Sequence, residues 1–277
     1  SAANFQGICR SLWNWVTLGS QNLIGVGTNL KFYIENGGQY NDITPLRATV
    51  TLTNPFTTVS GSPIVTVTDT NGGYNDGDFV IFSGATAVGG LTLNGEFEIS
   101  FTEAVNEYAI SASSNANASA TGGGTVTAAY QINVGTGSAI PVTGWGAAAW
   151  GFGVWGVGET SVESIRLWSQ SNFGEDLIFG PRGGAVYYWD ASSGLNSRGV
   201  ELSTLSGASG VPIIQNFLEI SDINRFVFAF GANEFGTSIV NPMLVRWSDQ
   251  GSAINWTPSA TTQAGFLTLS RGSEIVS

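Results

Sequence analysis

The chain contains no histidine at all, and it has one cysteine, one methionine and one lysine among its 277 residues. Without histidine there is no Ser-His-Asp triad, no Cys-His pair and no histidine-based zinc site. Nothing of ordinary pKa then titrates near neutral pH. A single cysteine, Cys9, excludes an intrachain disulfide, so cross-linking is not what holds the fold. Basic residues are scarce: Lys+Arg number 9 against 20 Asp+Glu, a formal charge of -11. Such a surface repels nucleic-acid phosphates, and the arginines, scattered at or beside strands, form no stripe for reading DNA. The sequence shows neither a signal peptide nor an apolar run long enough to span a bilayer, and predicts a soluble chain or part of a soluble assembly. Helix-forming runs of Leu, Ala, Glu and Lys are few while glycine numbers 38, and together these predict an all-β protein.

What is present is a repeat. A strand pair and a following hairpin are written three times. The first copy is Leu23-Ile24-Gly25-Val26-Gly27, Lys31-Phe32-Tyr33-Ile34 and Tyr40-Asn41-Asp42-Ile43-Thr44-Pro45. The second is Asp176-Leu177-Ile178-Phe179-Gly180, Val186-Tyr187-Tyr188-Trp189-Asp190 and Gly199-Val200-Glu201-Leu202. The third is Arg225 to Gly231, Leu244-Val245-Arg246-Trp247-Ser248-Asp249 and Ile254-Asn255-Trp256-Thr257-Pro258. Four-stranded units repeated every 40 to 50 residues or so build β-propellers. Strands are expected at 161–168, 175–180, 185–190 and 199–203 in the second unit, and at 212–221, 225–231, 242–248 and 265–270 in the third. The turn Pro181-Arg182-Gly183-Gly184 supplies the residues that a tight hairpin needs.

Spacing locates an insertion. Tyr33 and Trp189 occupy like places 156 residues apart, whereas Trp189 and Trp247 are 58 apart, which leaves about 98 residues to place between the first and second units. That stretch is rich in Thr, Val, Ala and Gly. It carries alternating runs at 64–68, 79–82, 97–101, 108–110 and 126–130, as expected of a small β-sandwich or barrel. The expected organisation is residues 1–47 as the first blade, 48–144 as the inserted domain, and 145–277 as further blades opened by a Gly/Trp-rich loop. In that loop Trp145, Trp150 and Trp155 recur at five-residue spacing, which fits neither a helix face nor a strand face. The indoles either pack beneath the inserted domain or a neighbouring subunit, or form a subunit or partner contact loop. Three units do not close a ring, and the final Glu274-Ile275-Val276 reads as the opening of another strand, so more chain or other segments are expected to complete it.

Paired carboxylates could serve a glycosidase, with Glu175-Asp176, Glu159 with Glu163, and Asp190 as the candidates. Adjacent strand residues point to opposite faces, which argues against Glu175 and Asp176 sharing a substrate. The stretch from Asp69 to Asp78 resembles a calcium loop in composition but lacks the closing Glu and ligand spacing, and a strand-connecting turn explains it. Gly122-Gly123-Gly124 has no following Lys-Ser/Thr and no helix, so it is not a phosphate loop. No catalytic residue, metal or cofactor is expected.

Three passages carry a resemblance: Asn22 to Lys31; Asn172 to Leu177 with Pro181-Arg182-Gly183-Gly184 and Tyr188-Trp189-Asp190; and Val245 to Asp249 through Asn255-Trp256-Thr257-Pro258. They resemble the propeller of tail nozzle proteins of short-tailed bacteriophages, the tail tubular or packaged-DNA stabilisation type. The insertion, at Gly77-Asp78-Phe79-Val80 and Gly89 to Glu96, is similar to β-domains embedded in other phage structural proteins. The resemblance implies a virion tail component, assembled as a hexameric ring below the portal and adaptor proteins. It would form the distal DNA channel, retain the genome until ejection, and help hold tail fibres or spikes. An acidic wall suits a conduit through which DNA slides without sticking and without sequence recognition. A carbohydrate- or receptor-binding propeller of a phage tail is the alternative, with surface Trp and Tyr stacking on sugars; binding on a glycan array separates the two.

Overall fold

The structure, a computed structural model, describes residues 2–101, 106–136 and 165–275. Among these there is no α-helix, and every regular sheet is antiparallel, so the all-β expectation holds. No helix among the described residues is long and apolar enough to cross a membrane. The chain divides into two compact units, Thr44–Val134 and the remainder.

The remainder begins with an up-and-down sheet of β1 (Cys9–Val16), β2 (Asn22–Thr28), β3 (Phe32–Asn36) and β4 (Gln39–Asp42). Phe32, Tyr33 and Ile34 are all buried, as befits an inner strand covered on both faces. The β3–β4 turn uses Gly37 and Gly38 at φ of 58° and 84°, a left-handed pair that side chains disfavour.

The inserted unit contains β5 (Leu46–Thr53), β6 (Phe56–Thr58), β7 (Ile64–Thr68), β8 (Phe79–Ser83), β9 (Gly95–Glu98), β10 (Ser100–Phe101), β11 (Glu107–Ser111), β12 (Ala120–Gly122) and β13 (Thr125–Gln131). They form a five-stranded sheet, β10-β11-β7-β6-β12, and a four-stranded sheet, β5-β13-β8-β9. Val65 and Val67 of the first, with Val80 and Phe82 of the second, alternate inward on the two-residue strand period and join one core. Two sheets sharing one apolar layer are a β-sandwich. β5 begins at Leu46 and pairs with β13, and Arg47 lies over the Tyr130 ring at 5.1 Å, so residues 44–47 belong to this unit and not to the first sheet.

The chain then builds two more up-and-down sheets: β14 (Trp168–Phe173), β15 (Asp176–Pro181), β16 (Tyr187–Trp189) and β17 (Val200–Glu201), and β18 (Phe217–Ile220), β19 (Val227–Phe230), β20 (Leu244–Trp247) and β21 (Gly265–Thr268). Tyr33, Trp189 and Trp247 each fall on the third strand of their sheets. One expected strand is displaced. The first strand of the second sheet starts at Trp168 where residues 161–168 had been expected, because Trp168 to Phe173 pairs residue for residue with Pro181 to Asp176 across the Gly174 turn. Residues 161–164 lie outside the described residues.

The three sheets pack in sequence, β1 and β2 against β14, and β14 and β15 against β18. Aromatic rings fill the first of these junctions: Phe32 stacks on Phe179 at 4.3 Å and meets Trp168 edge-on at 4.9 Å. The second junction centres on Ile178, Leu218 and Val227, all buried in one cluster.

Candidate functional site

Of the carboxylates singled out in the sequence, Glu175 and Asp176 lie at the β14–β15 turn. Gly174, at φ 76°, makes that turn tight and places Glu175 within it. Alternation along a strand therefore does not govern the pair. Contrary to the sequence expectation, Glu175 and Asp176 line the same open cleft of about 380 Å³, with Thr17, Gln21 and Arg225. Both are held by donors of the fold. Glu175 accepts the Leu18 N–H at 2.5 Å. Asp176 accepts the Tyr188 hydroxyl and, at 3.0 Å, the Ala191 N–H. Burial, then the hydrogen bond to Asp176, pushes the Tyr188 phenol up. Asp190 accepts from the Ser192 N–H at 2.8 Å and the Ser193 hydroxyl at 3.0 Å, and these bonds hold its carboxyl below the ordinary value. Asp176 and Asp190 thus fix turns of their own sheet, while Glu175 reaches across to the β1–β2 turn of the first sheet. Glu159 and Glu163 lie outside the described residues, as do Trp145, Trp150 and Trp155.

The calcium-like stretch folds as a turn braced by its own acids. Asp69 accepts the Asn71 N–H at 2.8 Å and the Tyr130 hydroxyl at 2.5 Å, while Asp78 accepts the N–H groups of Asn75 and Val134 at 2.8 and 2.9 Å. Both carboxylates are buried and turned onto protein donors. Among the described residues no group of three or more His, Cys, Asp or Glu is placed to hold a metal ion. The three glycines 122–124 lead β12 into β13, and Gly123, at φ 114°, lets the backbone pass over the Phe56 ring.

Most basic groups are drawn into the fold, with Arg225 and Arg271 left exposed. Lys31 is only 2% exposed and pairs with Asp42 at 3.4 Å, and Arg198 reaches the same carboxylate at 3.2 Å. Arg182 pairs with Glu274 at 2.5 Å. Arg47, Arg166 and Arg225 lie over the rings of Tyr130, Trp168 and Phe173 at 5.1, 5.7 and 4.4 Å. By contrast Asp76, Glu98, Glu219, Asp222 and Glu234 are exposed. Among the described residues the charge offered to solvent is therefore more acidic than composition alone gives.

One basic residue stands apart and was missed in the sequence. Arg246 alternates inward with Leu244 on β20 and is 2% exposed. Its guanidinium donates to the carbonyls of Gly210 and, at 3.3 Å, Asn233, and lies 5.5 Å from the Phe235 ring. It also borders an open cleft of about 620 Å³ whose walls include Val211, Ile213, Thr237 and Ile239. No carboxylate pairs with it among the described residues, and burial pulls its pKa down to about 10, which leaves it charged at neutral pH. The legible signal was a cation at an inward position of a short apolar strand.

No protein-family model matches this chain, and no curated protein matches it. Among solved structures it is similar to the endosialidase of phage phi92, at 13% identity and a TM-score of 0.29, over 97% of this chain and 38% of that one. The chain thus spans well under half of that neighbour's length, and a superposition at this level does not establish a shared fold.

Proposed function

We propose that the chain is a structural, non-catalytic component of a bacteriophage tail, a subunit of the nozzle ring that forms the distal DNA channel. The observation that carries this reading is the disposition of charge. Most basic heads are spent on ion pairs and ring faces, and among the described residues exposed acids outnumber the exposed arginines, Arg225 and Arg271. Each phosphate contact adds salt-dependent affinity, and a wall that offers none lets a duplex slide. The three consecutive four-stranded sheets support a propeller, of which they would be three blades. Leu12 and Val16 on the first sheet and Phe266 and Leu267 on the third are exposed, apolar surface suited to further blades or neighbouring subunits completing the ring. In this reading the subunits form a homo-oligomeric ring, a hexamer, below portal and adaptor proteins and beside fibres or spikes. Loops narrow the channel until a change of ring conformation releases the genome.

Electron microscopy of particles that carry the protein tests the reading. A closed ring on the tail axis below the portal, with DNA density above or within it, is the expected result. Density at the tips of peripheral fibres overturns it in favour of receptor binding. The purified chain is also expected to leave duplex DNA unshifted on a native gel at about 50 mM salt, where phosphate contacts are strongest.

A further inference from the structure

We propose that the cleft beside Arg246 binds one carboxylate, carried on a small and partly apolar organic molecule. A guanidinium taken from water without a countercharge is costly to the fold, and an anion arriving at the cleft would offset that cost. The two carbonyls that Arg246 meets, of Gly210 and Asn233, leave N–H donors unspent on a group that borders open volume. The other polar group deep in the site is already committed. The Asn233 amide accepts from the N–H of Ile213 and Ile214 at 2.9 and 3.2 Å and donates to the Thr237 carbonyl at 2.7 Å, so it shapes the wall without competing for a ligand.

Charge and wall chemistry select the ligand. Among the described residues Arg246 is the one cation lining the cleft. A single buried positive charge balances a carboxylate, whereas a phosphate dianion would be left half compensated and short of donors. Val211, Ile213 and Ile239 give the body of the ligand apolar surface to cover. The volume, about 620 Å³, is that of a small-molecule site.

Calorimetric titration of the full chain with sodium benzoate, against sodium chloride and sodium phosphate at matched ionic strength and pH 7, tests this. Saturable benzoate binding is expected, with phosphate weaker. Arg246→Met removes the charge while keeping an apolar stem and is expected to weaken benzoate about tenfold or more, the loss of a charge-assisted bond. Should that variant fail to fold, Ile239→Asp decides. Ile239 is exposed on the rim, so a carboxylate there leaves the fold intact while repelling the ligand, and weaker benzoate binding is expected. Absence of saturable benzoate binding, equal binding of phosphate, or undiminished affinity in the folded variants overturns the proposal.

Discussion

Tyr130 joins the two sheets of the inserted unit through a single hydroxyl, which donates to Asp69 at 2.5 Å and lies 2.7 Å from the Tyr108 hydroxyl. Both phenols and the carboxylate are buried, so the two hydroxyls and the second Asp69 oxygen depend on one another for their hydrogen bonds. Tyr130→Phe keeps the ring and strands the Asp69 oxygen, and urea unfolding is expected to show a loss of about 1–3 kcal/mol. The same burial sets the pH response. It pushes the phenols of Tyr108, Tyr130 and Tyr188 up, and that of Tyr187 to about 12, from an ordinary value of 10.0. A phenol whose pKa is raised on folding contributes stability that is complete below pH 10 and is lost as pH climbs through the folded value, because the unfolded chain ionises first. With no histidine in the chain, the urea midpoint is expected to stay level from about pH 6 to 9 and fall above pH 10. A midpoint that moves between pH 6 and 8 would contradict this. None of these partners was legible in the sequence, where Asp69 read as part of a possible ion loop. Its long-range donor, Tyr130, lies 61 residues away.

At the scale of the element, the glycines of the repeated strands acquire a purpose only when neighbouring sheets meet. A Cβ at Gly25 would lie 2.3 Å from the Gln170 side chain, and one at Gly27 would lie 2.5 Å from Trp168. Gly180 in the next sheet makes the same allowance for Gln215, at 2.6 Å. In both junctions a glutamine amide crosses to a carbonyl of the preceding sheet, Gly25 at 3.5 Å and Pro181 at 3.0 Å, and Trp168 adds a bond to the Thr28 carbonyl at 2.7 Å. The repeat is thus one of inter-sheet seating as well as of strand pattern. Gly27→Ala is expected to cost about 1–3 kcal/mol by overpacking, whereas Gly19→Ala, with nothing nearer than 3.7 Å, stays within about 0.5 kcal/mol of the wild type. Thermal unfolding of the two variants side by side measures the difference, and equal melting temperatures would remove the seating role.

For the whole molecule, the inserted unit has its own core and closes on itself. The Ile132 N–H bonds the Pro45 carbonyl at 3.0 Å, and β5 pairs with β13 along their length, so the chain enters and leaves at neighbouring points. Residues 44–134 expressed alone are expected to unfold in one cooperative transition, followed by circular dichroism in urea. A gradual, non-cooperative loss of signal would mean that the unit needs the rest of the chain.

Local pattern determined much of this protein from the sequence alone. Period-two alternation and turn glycines gave the all-β class, most of the strands of the insertion and the third strand of every repeat, because these depend on neighbours a few residues apart. The sequence also carried the excess of acid and the absence of histidine chemistry. Long-range packing decided the rest. The start of β14 at Trp168 follows from register with β15, and the shared cleft of Glu175 and Asp176 follows from a turn that suspends alternation. Arg246 became a buried, uncompensated charge only when β20 turned it inward beside a cleft built from residues 210–239, since burial and field are properties of the assembled neighbourhood and not of the residue.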